Sequence, residues 1–150
     1  MVATVKIADF VEDIAEKVHN LGADTLQLAL SNTLPASETS DPTSTGNGIL
    51  ANVTEISYTN YTDSLGTPRV LEGITSVESG DTYTLDANNV TITASGGAIA
   101  DFRYVYIFNQ SATAPVDALI LLIDLETTVS LAAASSISIN FNASGILTIA

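Results

Sequence analysis

FVEDIAEKVHNLGADTLQLALSNT, residues Phe10 to Thr33, decides the fold, because two structural periods meet inside it with Gly22 at the join. Counting back to Ile7, apolar residues fall at Ile7, Phe10, Val11, Ile14, Ala15, Val18 and Leu21. That three/four spacing makes one stripe on a helix of 3.6 residues per turn. Asp9, Glu12, Asp13, Glu16 and Lys17 take the opposite side. Acids come early and Lys17 and His19 late, as the helix dipole favours, and Gly22 suits the left-handed conformation that closes a last turn. The pattern predicts an amphipathic helix over about 5–21. From Leu26 the period becomes two, with Leu26, Leu28 and Leu30 on one face and Gln27, Ala29 and Ser31 on the other, which predicts a strand. The helix is expected to pack on the sheet that this strand joins.

The 150 residues suit one β-rich domain, 1–150, and a chain of this size buries roughly 68 to 70% of its unfolded surface. Cysteine is absent, which removes disulfides, thiolate metal sites and cysteine nucleophiles. Lys6, Lys17, Arg69 and Arg103 face 17 acids, for a formal net charge of -13. Binding to phosphate backbones depends on Lys and Arg releasing counterions, so no direct nucleic-acid binding is expected. Charged residues make up only 14% of the chain, against about 25% in an average protein, while hydrophobic residues reach 46%. Much of the surface must therefore be Ser, Thr and Asn, a weakly hydrated exterior that suits β-structure packed against other subunits. Lys6, Asp9, Glu12 and Asp13 interrupt the first apolar stretch, so no secretory leader is expected and synthesis in the cytoplasm is. The longest strongly apolar run, Ala118 to Ile123, falls far short of the ~20 residues of a spanning helix.

Beyond the first strand, TLPASETSDPTSTGNG, residues 33–48, lacks periodicity and reads as a long surface loop or arm. Ile49 to Val53 suits either a helical turn or entry into the sheet, and Glu55 to Tyr61 alternates like a strand. Further strands are expected at Arg69–Thr75, Thr82–Leu85, Val90–Ala94, Phe102–Phe108, Leu119–Leu125, Val129–Leu131, Ile137–Phe141 and Ile146–Ile149. Reversals are expected at Gly80-Asp81, Asn88-Asn89, Gly96-Gly97 and Asn142 to Gly145. FRYVYIF and LILLIDL are nearly continuous apolar runs, the mark of central strands covered on both faces. The fold class that follows is mainly β: a β-sandwich or jelly-roll-like domain with one N-terminal amphipathic helix packed on the sheet.

Reactive constellations are sparse. His19, the single histidine, would need a converging nucleophile and acid to act as a base, and a capping or solvent-facing role is the simpler one. Asp124 with Glu126, or Glu78, Asp81 and Asp86, offers carboxylate pairs of the kind used on glycosides, yet the chain has no Trp to line a sugar cleft. Glu78, Asp81, Asp86 and Asn88 also carry calcium-type oxygens, without the D-x-D-x-D-G order of a calcium loop, and read as solvated turns. Asn-x-Ser/Thr triplets start at Asn52, Asn60, Asn89, Asn109 and Asn142, a chance yield of so Asn- and Thr-rich a chain. No catalytic, cofactor-binding or metal-binding residue is assigned. Tyr58, Tyr61, Tyr104 and Tyr106 are the candidate interface residues, since aromatics alternating within strands serve core and subunit contacts.

FVEDIAEKVHNLGADTLQLALSNT, EISYTN (55–60), FRYVYIFN (102–109) and the tail SISINFNASGILTIA together resemble a family of small virion structural proteins of tailed bacteriophages. The resemblance implies a non-enzymatic capsid decoration, or cement, protein, or alternatively a tail or fibre-associated receptor- or glycan-binding module. It implies the major capsid protein of the same phage as partner, self-association as a homotrimer, and a place in the virion after assembly in the host cytoplasm. Repeated small contacts would then raise avidity by ~10² to 10⁴ without any strong single contact.

Overall fold

The structure, a computed structural model, describes residues 3–142 and 144–150. In chain order the elements are β1 (Ala3–Lys6), α1 (Phe10–Ala15), β2 (Leu26–Ser31), β3 (Tyr61–Asp63), β4 (Thr75–Ser79), β5 (Thr82–Asp86), β6 (Val90–Ala94), β7 (Phe102–Thr113), β8 (Val116–Val129), β9 (Ser136–Ile139) and β10 (Leu147–Ile149). The two apolar runs extend into β7 and β8, a long antiparallel hairpin at the centre of a four-stranded sheet ordered β1-β8-β7-β2. Every residue in 104–109 and 118–123 is buried, so both faces of the hairpin are covered, as continuous apolar runs require. Two three-stranded sheets, β10-β5-β4 and β3-β6-β9, complete a mainly β, sandwich-like fold.

Register explains how both faces fill. Val105 and Ile107 share one face with Leu28, Leu30, Leu121 and Ile123, and Tyr104 and Tyr106 share the other with Ala29, Ser31 and Leu122. Asn109, in step with Ile107 along β2, turns the first face toward the segment after α1 through its bond to His19. On the second face, Ser31 bonds the Thr54 carbonyl and Thr54 in turn bonds Glu38, which brings the 33–48 loop to that side. All six residues of β2 are consequently buried, including Gln27 and Ser31, where the alternating pattern pointed to an exposed face. Ser31 Oγ donates to the Thr54 carbonyl at 2.7 Å and so tolerates that burial.

Helix α1 is much shorter than the sequence predicts. The stretch expected as helix 5–21 divides into the end of β1, which pairs with β8, a six-residue helix, and irregular chain. Lys17, at φ 65°, takes the left-handed position expected of Gly22. The amide of Val18 bonds the Asp13 carbonyl at 2.8 Å and that of Lys17 bonds the Ile14 carbonyl at 3.2 Å. These two bonds form a Schellman stop and end the helix at Ala15, well before the expected glycine. Ile7, Phe10 and Leu21 keep the buried role that the stripe assigned to them, whereas Val11 is 56% exposed.

The 33–48 loop is folded onto the body, with Pro35, Pro42 and Gly48 buried. The Asp9 carboxylate accepts from the amides of Gly46 (2.7 Å) and Gly48 (2.9 Å), and Glu38 accepts from the amide and hydroxyl of Thr54. Ile49 then bridges Ala118 of β8, and residues 50–52 make a single 3₁₀ turn. Glu55–Tyr61 and Arg69–Thr75, both expected as strands, are irregular up to their last residues, which begin β3 and β4, and otherwise add the bridges Glu55 to Ser31 and Val70 to Gln27. Their backbones cap the outer edge of β2 through Ile56, Arg69 and Leu71. Val129–Leu131 is no separate strand, since Val129 ends β8. Gly80 and Asp81, both at positive φ, make the expected two-residue hairpin between β4 and β5. At the Asn142 to Gly145 reversal, residue 143 lies outside the described residues, and the Gly145 amide bonds the Asn142 carbonyl at 2.8 Å. Among the described residues, no helix is long and apolar enough to cross a membrane.

Candidate functional site

The four candidate tyrosines separate into two environments. Tyr104 and Tyr106 are 3% and 0% exposed inside the central hairpin, which removes both from any surface that a partner reaches. Tyr58 and Tyr61 are half-buried and lie edge to face, with ring centroids 5.4 Å apart. The Tyr58 hydroxyl donates to Glu55 at 2.6 Å and accepts from the Leu30 amide at 2.9 Å, and the Arg69 guanidinium sits 4.1 Å over the ring. Arg69 also donates to Glu55 (3.2 Å) and to the Leu28 carbonyl. The Tyr61 hydroxyl donates to Asp63 at 2.7 Å. Burial first, and then the carboxylate partner, pushes both phenols above their ordinary range and keeps them neutral donors. Tyr58, with Arg69, ties the 55–71 segment to β2.

Carboxylates suited to acid/base chemistry are spoken for or dispersed. Arg103 grips Asp124 in a two-bond fork, Nε to Oδ1 at 2.7 Å and a terminal nitrogen to Oδ2 at 2.9 Å. The guanidinium holds the Asp124 carboxyl below its usual range, the wrong direction for a proton donor near neutral pH. Glu78 accepts from the Asp81 amide at 3.1 Å, and Asp86 accepts from the adjacent Ala87 amide at 2.9 Å, the ordinary work of turns. Among the described residues, no three or more His, Asp or Glu side chains converge as metal ligands do.

The densest polar cluster is one that the sequence reading did not assemble. Asn109 is fully buried on β7; its Oδ1 accepts from the Ser111 amide at 2.9 Å, so its Nδ2 must face Asp24 Oδ2 (2.6 Å) and His19 Nδ1 (3.1 Å). With Asn109 donating, His19 Nδ1 accepts and the ring proton belongs on Nε2. That nitrogen lies 3.8 Å from Asp13 Oδ2, and both atoms are buried without a hydrogen-bond partner. The imidazole stacks on Phe10 at 5.5 Å. Burial lowers the pKa of His19, with Asp24 pulling the other way. Burial raises that of Asp13, helped by Asp9, Glu12 and Glu16. A pocket of about 370 Å³, lined by Ile14, His19, Leu21, Tyr83 and Ile149 among others, opens beside the cluster. His19 therefore fastens the chain after α1 to the central sheet and is neither a helix cap nor solvent-facing. The legible signal was Asn109, a polar residue at the end of the run FRYVYIF.

Compared with protein-family models, with curated proteins and with solved structures, the chain matches none.

Proposed function

We propose that this chain is a non-enzymatic structural component of a phage virion, a capsid decoration protein that binds the head shell and stabilises it, with self-association and the major capsid protein as its contacts. The observation that carries this reading is a core covered on both faces joined to one outward sheet face that presents hydroxyls and no charge. The central hairpin is covered on both faces, and the outward face of β3-β6-β9 carries a row of hydroxyls. There Thr91 meets Ser138 at 3.0 Å, Thr93 meets Ser136 at 2.8 Å, and Thr62 donates to the Thr93 carbonyl. Such a face has little hydration to lose on meeting another subunit, and a rigid body loses little entropy when it docks. The Tyr58 and Tyr61 hydroxyls are already engaged within the chain, which supports the decoration reading over the alternative of a tail or fibre-associated glycan-binding module with an open aromatic groove.

Cryo-electron microscopy of the particle is the test. The expected outcome is density for this chain at repeated positions on the head lattice. Density on the tail alone overturns the decoration reading and favours the receptor-binding module.

A further inference from the structure

Strand β4 is an edge without a cover. Its inner neighbour β5 pairs along the full length, Thr75 with Asp86 through Ser79 with Thr82. All five of its residues are exposed, Val77 at 57%. The outer edge of β2 is closed by Ile56, Arg69 and Leu71, and β8 is lined beyond β1 by Gly48 and Ile49. Among the described residues, no backbone bridge reaches the outer edge of β4. Natural edges are usually blunted by lysine, proline or a bulge. TSVES, residues 75–79, contains neither lysine nor proline, its pairing with β5 is unbroken, and its single charge, Glu78, is the one feature that guards the edge.

We infer that β4 is a self-association surface, on which a second copy of this chain adds its own β4 antiparallel, about a two-fold axis at Val77. The sequence of the strand selects both the occupant and the register. Centred there, Val77 faces Val77, Ser76 faces Glu78 and Thr75 faces Ser79, so the centre is a β-branched pair, a hydroxyl meets a carboxylate on either side of it, hydroxyls pair at the ends and no acid opposes an acid. Centring on Glu78 sets two carboxylates directly opposite each other, and centring on Ser76 places Ile74 against Glu78. The two-fold makes the contact isologous, with the same residues offered by both copies, and joins two three-stranded sheets into one of six strands. Thr84, across from Val77, and Thr148, across from Thr84, carry the hydroxyl face outward from each side of the new seam. Net charge opposes the approach of two copies at -13 each, so the pairing strengthens as salt screens the repulsion. The contact stands independently of any place in a virion; if the chain is also trimeric there, it links one trimer to the next.

The chain has no cysteine, so Val77→Cys introduces a single thiol, which the proposed register brings within disulfide reach of its symmetry mate. Thr75→Cys is the register control, because each Thr75 faces Ser79 and not itself. The experiment oxidises each purified variant at low protein concentration and measures the cross-linked fraction and the solution mass. The expected result is a covalent dimer for Val77→Cys, none for Thr75→Cys alone, and a dimer again when Thr75→Cys is mixed with Ser79→Cys. The dimer yield should rise several-fold between low and moderate salt. A Val77→Cys protein that stays monomeric overturns the proposal, and so does cross-linking of Val77→Cys and Thr75→Cys to equal extents, which indicates random collision. Circular dichroism of each variant confirms that the fold is intact, as expected for side chains this exposed.

Discussion

Asn109 joins three stretches of chain through one side chain: Ser111 on its own strand, Asp24 before β2, and His19 after α1. Truncation to alanine leaves the buried imidazole without its donor and leaves the half-buried Asp24 carboxylate with the Asn20 amide alone. Asn109→Ala should therefore cost about 2 to 3 kcal/mol, read as a lower urea midpoint at an unchanged slope. The His19 pKa is lowered in the fold, so the unfolded chain binds its proton more readily. Its contribution to stability is whole above the unfolded value of 6.5 and is lost as pH falls from there toward the folded value. Asp13 runs the other way: its folded pKa is raised above 3.8, so its ionised form weighs against the fold at neutral pH. Asp13→Asn should raise the melting temperature at pH 7, and the gain should fade as pH drops through the folded pKa of Asp13. Phe10, 1% exposed and stacked on His19, should cost about 3 to 5 kcal/mol when replaced by alanine.

Elements end where backbone chemistry ends them. Helix α1 stops because Lys17 occupies a left-handed position that L-residues other than Gly and Asn rarely favour. Lys17→Gly should thus stabilise the protein by about 0.5 to 1 kcal/mol in denaturant titrations. Asp9, which stands where a helix cap would, spends its carboxylate on the amides of Gly46 and Gly48 instead. Asp9→Ala should cost about 1.5 to 3 kcal/mol. It should also speed amide exchange at Gly46 and Gly48 while β7 and β8 stay protected, a pattern that hydrogen-exchange mass spectrometry resolves. The helix stripe was legible as a set of buried positions at Ile7, Phe10 and Leu21, but the helix length was not. A three/four pattern also fits a strand, a short helix and an irregular return that all face one core, and capture of the first residues by β8 favours that arrangement.

For the whole molecule, an excess of acids is spread over a fold with few cations to answer it. Self-repulsion of that size lowers the stability of any compact state and is screened by salt. The melting temperature should climb with added sodium chloride from low ionic strength, and the steepest part should lie in the first tenth molar. Arg103 and Asp124 form an exception at close range. The Asp124 pKa is lowered, so the contribution of the pair is present above 3.8 and is lost as pH falls through the folded value. Calorimetry across pH separates this loss from the opposite trend of Asp13.

By themselves the residues determined the β class, the two central strands and the Gly80-Asp81 hairpin, because continuous apolar runs and paired turn residues are local signals that few other arrangements satisfy. They also determined an exterior rich in hydroxyls and net negative in charge. Tertiary structure alone decided which segments cover those strands. It laid the 33–48 loop over one face, brought 55–56 and 69–71 to the edge of β2, and put Tyr104 and Tyr106, candidates for a subunit contact, in the core. It also brought His19 to Asn109 across 90 positions of sequence. The physical reason is that period and propensity are properties of neighbours along the chain, whereas covering a sheet and satisfying a buried polar group depend on whatever distant segment folds against it.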